Sequence, residues 1–120
     1  MVNLKPDQVF NLHPSIRWAG LSTEQGGLVF ATMRNGVQSF SPIEADRSFM
    51  ELGPLLLAGV CERLARHVGP ADTIIIHYEK VIMLVTRLRG HFLAVTLNRK
   101  DAGYVQEVLT KLLSLETVIV

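Results

Sequence analysis

The sequence predicts a layered α+β domain in which one antiparallel sheet carries helices on both faces. Three observations predict it. The elements follow in the order strand, strand, long helix, three strands, helix; the last three strands are joined by two-residue loops; and both faces of those strands are apolar. An antiparallel sheet with one wet face alternates apolar and polar residues, so a sheet apolar on both sides needs cover on both.

The 120 residues fit a single domain over the whole chain, residues 1–120, and one core is enough at that length. Apolar residues make up 48% of the chain and the mean hydropathy is +0.28, which predicts more apolar surface than one protomer can hide. Twelve Lys+Arg against eleven Asp+Glu leave a net charge of +1, far from the basic balance that tracks a phosphate backbone, so no nucleic acid partner is expected. Charge and Pro6 interrupt the start, which excludes the apolar region of a signal peptide. The longest uncharged run, Leu52 to Cys61, is ten residues, where about 20 cross a bilayer. The expectation is a soluble, cytoplasmic protein with no membrane insertion. Cys61 is the single cysteine, which excludes an internal disulfide and a cysteine-based zinc cluster.

In chain order, Pro6 opens a short helix that turns Val9, Phe10 and Leu12 inward before His13-Pro14 stops it. Ile16 to Thr23 and Leu28 to Arg34 read as a hairpin around Glu24-Gln25-Gly26-Gly27, where glycine permits positive φ. Asn35-Gly36 is a second tight turn. In Ser41-Pro42-Ile43-Glu44, Ser41 suits the cap, Pro42 the first helical position and Glu44 the third, a capping box. The helix runs to Gly69-Pro70, and Gly53-Pro54 inside it predicts a kink or split near Met50 to Leu52. On a wheel of about 100° per residue, Leu56, Val60, Leu64, Leu57, Val68, Cys61, Ala65 and Ala58 cover roughly 200°. A helix packing only on its own sheet needs about half of that. The excess points to a second apolar contact, most simply the same helix of another subunit.

Thr73 to Tyr78, Val81 to Leu88 and His91 to Asn98 then form an antiparallel meander through Glu79-Lys80 and Arg89-Gly90. That register puts Ile74, Ile76, Met83, Val85, Phe92 and Ala94 on one face and Ile75, Ile82, Leu84, Leu88, Leu93, Val95 and Leu97 on the other. The last helix, Ala102 to Leu115, is capped by Asp101 and turns Val105, Val108, Leu109, Leu112 and Leu113 to the sheet.

No residue set points to chemistry. His13, His67, His77 and His91 are too scattered for a local metal motif, although His77 and His91 share one face of the sheet in this register. Cys61, in mid-helix on the apolar arc, reads as a small buried hydrophobe. Ser15, Ser22, Ser39 and Ser48 lack a nucleophile-elbow setting, and Gly26-Gly27 lacks the spacing of a phosphate loop. The cations Arg17, Arg34, Arg47, Arg63, Arg66, Arg87, Arg89, Arg99 and Lys100 are diluted by Glu44, Asp46, Glu51 and Glu62 and read as solvated faces. The expectation is no enzyme, no metal and no cofactor.

This order of elements resembles the roadblock family of dynein light chains, within the profilin-like and longin-like group. Locally, Ile16-Arg17-Trp18-Ala19-Gly20, Gly26-Gly27-Leu28 and Met33-Arg34-Asn35-Gly36-Val37 are similar to small stand-alone archaeal proteins of this type. The resemblance implies a five-stranded antiparallel sheet of order 2-1-5-4-3. It also implies a homodimer through the long helix and the edge strand after it, Pro42 to Val68 and Thr73 to Tyr78, and work as an adaptor or as a platform for small Ras-like GTPases. Roadblock proteins begin with a full helix where residues 1–14 supply a turn or two, which leaves a longin-like variant open. The functional expectation is a non-catalytic homodimeric scaffold or adaptor that binds or regulates a small GTPase. Its dimer interface would be Leu56, Leu57, Val60, Cys61, Leu64, Ile74 and Ile76, with Glu62, Arg63 and Arg66 on the partner rim. The alternative is a PAS- or GAF-like sensor of a small ligand, which needs a cavity between sheet and helix where the Leu, Ile and Val content predicts a filled core.

Overall fold

A computed structural model describes residues 3–55, 59 and 61–119. Five strands, β1 (Ile16–Thr23), β2 (Leu28–Met33), β3 (Thr73–His77), β4 (Val81–Leu88) and β5 (His91–Asn98), form one antiparallel sheet in the order β2-β1-β5-β4-β3. The helices are α1 (Pro6–Phe10), α2 (Ile43–Leu55), α3 (Glu62–Val68) and α4 (Val105–Leu113). Pairs such as Ile74 with Val85, Ile82 with Leu97 and Phe92 with Arg87 reproduce the register that the two-residue loops predict. Arg89 and Gly90 both take positive φ, 43° and 80°, the twist that a two-residue hairpin loop needs to match its strands.

The two sheet faces carry two cores. On one, Ile16, Leu21, Leu84, Leu93, Val95 and Leu97 pack with Val9 and Phe10 of α1 and Val108 and Leu112 of α4. On the other, Trp18, Val85, Phe92 and Ala94 pack with Met50 of α2. A register shift between Ile16 and Trp18 separates them: the inserted Arg17 lets two residues of like parity point to opposite faces, as a β-bulge does. Gly20 keeps α2 close, since a Cβ there would stand 2.6 Å from Trp18 and 2.8 Å from the Met50 sulfur.

Several local expectations are corrected. α2 continues through Met50 to Leu52 and holds Pro54 in its last turn; a proline near a C-terminus removes a single hydrogen bond there, so the helix need not break ahead of it. The Ser41 capping box does not form. The Ser41 hydroxyl donates instead to the Asp46 carboxylate at 2.7 Å, while the Pro42 carbonyl accepts the Ala45 amide at 3.0 Å. Asp101 caps nothing: it lies within a 3₁₀ segment, Arg99–Tyr104, and Tyr104 stands at the cap of α4 without a side-chain bond. Leu113 is 39% exposed, because α4 is narrower in its contact than five apolar residues suggest. β2 ends at Met33 and β3 at His77, one residue short of expectation in each case.

At the β1–β2 turn Gly26 has φ 89° and a Cβ there would stand 2.7 Å from the Glu51 carbonyl oxygen of α2. Gly26→Ala therefore meets both a left-handed backbone and a helix that must retreat. It should cost about 1–3 kcal/mol, read as a lower denaturant midpoint at unchanged slope.

Candidate functional site

Two surfaces on the α2 side of the sheet stand out. The first is an unpartnered apolar face. α3 buries none of its residues; Leu64 is 65% and Val68 79% exposed, one turn apart on the same stripe, and Leu52 and Leu55 of α2 are exposed as well. The next element in the chain, β3, pairs with β4 alone among the described residues, so its outer edge leaves backbone groups open. Ile74 and Ile76 are partly buried on the α2 side of that strand, while Ile75 on the other side is exposed. Cys61 is half-buried and packs toward the Trp18 and Met50 core. Glu62, Arg63 and Arg66 are exposed on α3. The expected interface residues Leu56, Leu57 and Val60 lie outside the described residues.

The second surface is a groove of about 530 Å³ between α2 and the sheet. It exists because α2 lies over β1 and β2 and reaches β4 at Val85, leaving Val81 and Met83 of the same face partly open. The core that the Leu, Ile and Val content predicts thus fills the α1 and α4 face, while on the α2 face the buried cluster of Trp18, Met50, Val85, Phe92 and Ala94 leaves the groove beside it. Trp18, Met33, Val81, Met83 and Thr96 form the groove floor, and Ala45 and Phe49 form its helical wall. The β3–β4 turn closes one side with Tyr78 and Lys80, held by Arg99, which donates to the Tyr78 carbonyl at 2.8 Å. Residues 34–42 carry the chain across the sheet end and bring Phe40 to the groove. There its ring, 58% exposed, has the Arg17 guanidinium 4.5 Å and the Lys80 ammonium 5.4 Å from its centroid.

A third cluster went unforeseen by sequence reasoning because it joins residues nearly a hundred positions apart. His13, 7% exposed, has Nε2 3.1 Å from the Glu107 carboxylate and Nδ1 2.7 Å from the Ser15 hydroxyl. The Ser15 amide also donates to Nδ1, at 3.1 Å, which makes that nitrogen an acceptor and puts the ring proton on Nε2, facing Glu107. The order serine, histidine, carboxylate is that of a hydrolase relay. Here, however, Ser15 only closes a two-residue turn on the histidine, and Lys111 ties the same Glu107 at 3.4 Å while donating to the Leu12 carbonyl at 3.1 Å. The cluster fastens α4 to the chain ahead of β1.

His77 stands opposite Ile82 and His91 opposite Leu88. The shared face is as expected, but six residues along a strand separate them by roughly 20 Å. Among the described residues no three His, Cys, Asp or Glu side chains converge as a metal site, and no helix is long and apolar enough to cross a membrane.

No protein-family model matches the chain, and no curated protein matches it. Solved structures do. The chain is similar to one described as MglB with tetrameric arrangement, at TM-score 0.71 and 13% identity over 92% of this chain and 88% of that one. It is similar to the gliding protein MglB from Thermus thermophilus, at TM-score 0.66 and 10% identity over 98% and 96%. It is also similar to a Roadblock/LC7 domain from Streptomyces avermitilis, at TM-score 0.63 and 14% identity over 92% and 91%. Identities this low speak for architecture alone, and the architecture agrees in strand order, in helices on both faces and across nearly the full length: this chain has the roadblock fold.

Proposed function

We propose that the protein is a non-catalytic homodimeric scaffold that serves as a platform for a small Ras-like GTPase. The observation that carries the reading is the exposed apolar stripe of α3 together with the open edge of β3, the strand that follows it in the chain. Leu64 and Val68 offer apolar area that the protomer leaves wet, and β3 offers a backbone edge that a second copy can pair with. A two-fold axis near β3 satisfies both at once, because an isologous contact sets the same patch against itself. The solved structures that share the fold support self-association in one case by description, an MglB with tetrameric arrangement.

The GTPase belongs to what the resemblance to roadblock proteins implies, and among the described residues no cluster argues for chemistry in its place. The partner would meet the dimer away from the apolar stripe, with Glu62, Arg63 and Arg66 on its rim. Rim charges set association rate and salt dependence more than fold stability. Capture from source lysate on the immobilised dimer, read by mass spectrometry, should recover a small GTPase. The double variant Arg63→Glu, Arg66→Glu should weaken that capture about tenfold while leaving the mass and melting temperature of the dimer unchanged. Recovery of no GTPase, or equal recovery by both forms, would count against the platform.

A further inference from the structure

We infer that the groove between α2 and the sheet is a binding site for a small amphipathic anion, an apolar chain with a single anionic head. This adds a ligand to the scaffold and stands independently of the dimer and of the GTPase. Three observations carry it.

The first is size. At about 530 Å³ the groove falls within the roughly 300–1,000 Å³ of sites that hold small organic ligands. The second is lining. Trp18, Met33, Phe49, Val81 and Met83 surround the space, and methionine adapts to irregular apolar bodies at little cost. Water held against such a surface gains little, so an apolar chain displaces it favourably.

The third is charge. Arg17 and Lys80 both reach the Phe40 end of the groove, and neither has a carboxylate within ion-pair distance among the described residues. Arg17 spends one N–H on the Gln38 carbonyl, at 2.8 Å, and keeps the rest of its fork. Two cations held over one aromatic ring, at the end of an apolar trough, complement a molecule whose charge sits at one end. Asp46 and Glu79 also line the groove, but neither stands within ion-pair distance of Arg17 or Lys80, so both cations stay open to an anionic head. The body of the ligand would lie over Trp18 and Met83 and its head would meet Arg17 and Lys80 beside Phe40.

Trp18 is the single tryptophan and lines the groove, so its fluorescence reports occupancy directly. The purified protein is titrated below micelle-forming concentrations with decanoate, decyl phosphate, decanol and decyltrimethylammonium. Saturable quenching or a spectral shift should appear with at least one of the two anions, at a Kd about tenfold lower than for decanol, since charge-assisted contacts add to a common chain. Decanoate against decyl phosphate separates a carboxylate head from a phosphate one. Lys80→Gln, at an exposed position, should fold normally and lose the preference over decanol, and Arg17→Gln should do the same. Leu64→Asp should bind as the parent does. Decanol equal to both anions, decyltrimethylammonium equal to them, no saturable response, or loss of binding in Leu64→Asp would each overturn the proposal.

Discussion

Leu64→Asp is expected to give a folded monomer of about 13.3 kDa where the parent chain runs at twice that mass. The residue is 65% exposed in the protomer, so a carboxylate there stays in water and leaves the protomer's own packing intact. In a dimer closed by the α3 stripe, the same carboxylate would be desolvated against its symmetry mate. An unpaired charge in such a contact costs about 3–5 kcal/mol, roughly two to nearly four orders of magnitude in the association constant. Light scattering coupled to size exclusion at micromolar concentration reads the mass, and far-UV circular dichroism reads the fold. A parent chain that elutes as a monomer would remove the dimer, and a variant that stays dimeric would move the contact away from α3.

The sheet was legible in the sequence because its rules are short-ranged. Two-residue loops at Glu79-Lys80 and Arg89-Gly90 fix the pairing of β3, β4 and β5, and a pleat of period two then assigns every side chain to a face. Ile82 opposite Leu97 and Val85 opposite Ala94 follow from counting outward from those loops. The helix ends were less legible. Ser41, Asp101 and Pro54 each sit in a local pattern that several backbones satisfy, and the bond that decides between them, such as Ser41 to Asp46, depends on the whole path of the chain.

The functional surfaces divide along the same line. Of the apolar arc read on a wheel, Leu64 and Val68 are exposed on α3, Cys61 and Ala65 are half-buried, and Leu56, Leu57, Ala58 and Val60 lie outside the described residues. The groove was not readable, since it follows from where α2 lies across the sheet. α2 covers β1 and β2 because Gly20 admits Met50 and Gly26 approaches Glu51, and of β4 on that face Val81 and Met83 are left over. No periodicity announces a lateral offset of a few ångströms. The bulge at Arg17, which turns Trp18 into the groove floor while Ile16 stays in the opposite core, is likewise invisible to a count of alternating residues.

Arg34→Ala should be the most destabilising change outside the apolar cores. Among the cations that read as solvated faces, Arg34 is half-buried, and its side chain donates to three carbonyls: Nε to Ile16 at 2.7 Å, and Nη2 to Phe10 at 2.8 Å and to His13 at 2.7 Å. Its guanidinium also lies 5.1 Å from the Phe10 ring centroid. These carbonyls belong to the end of α1, the turn after it and the first residue of β1, so one planar fork ties a five-residue helix to the edge of the sheet. An isolated helix of that length has no stability of its own. Without the fork its orientation rests on Leu4, Val9 and Phe10 in the core and on the Lys111 and Glu107 contacts to Leu12 and His13, and three carbonyls lose a charge-assisted donor. The expected cost is about 2–4 kcal/mol, or roughly 10 °C in melting temperature. Arg34→Lys should recover little of it, because an ammonium is a point donor that cannot span carbonyls set apart in space. Hydrogen exchange gives the local reading: the Asn11 amide, which donates to the Asp7 carbonyl at 2.9 Å, should lose protection in Arg34→Ala well before the amides of β4 and β5 do. Full stability in Arg34→Lys, or loss of protection spread evenly over the sheet, would show that α1 is held by its apolar residues and not by this arginine.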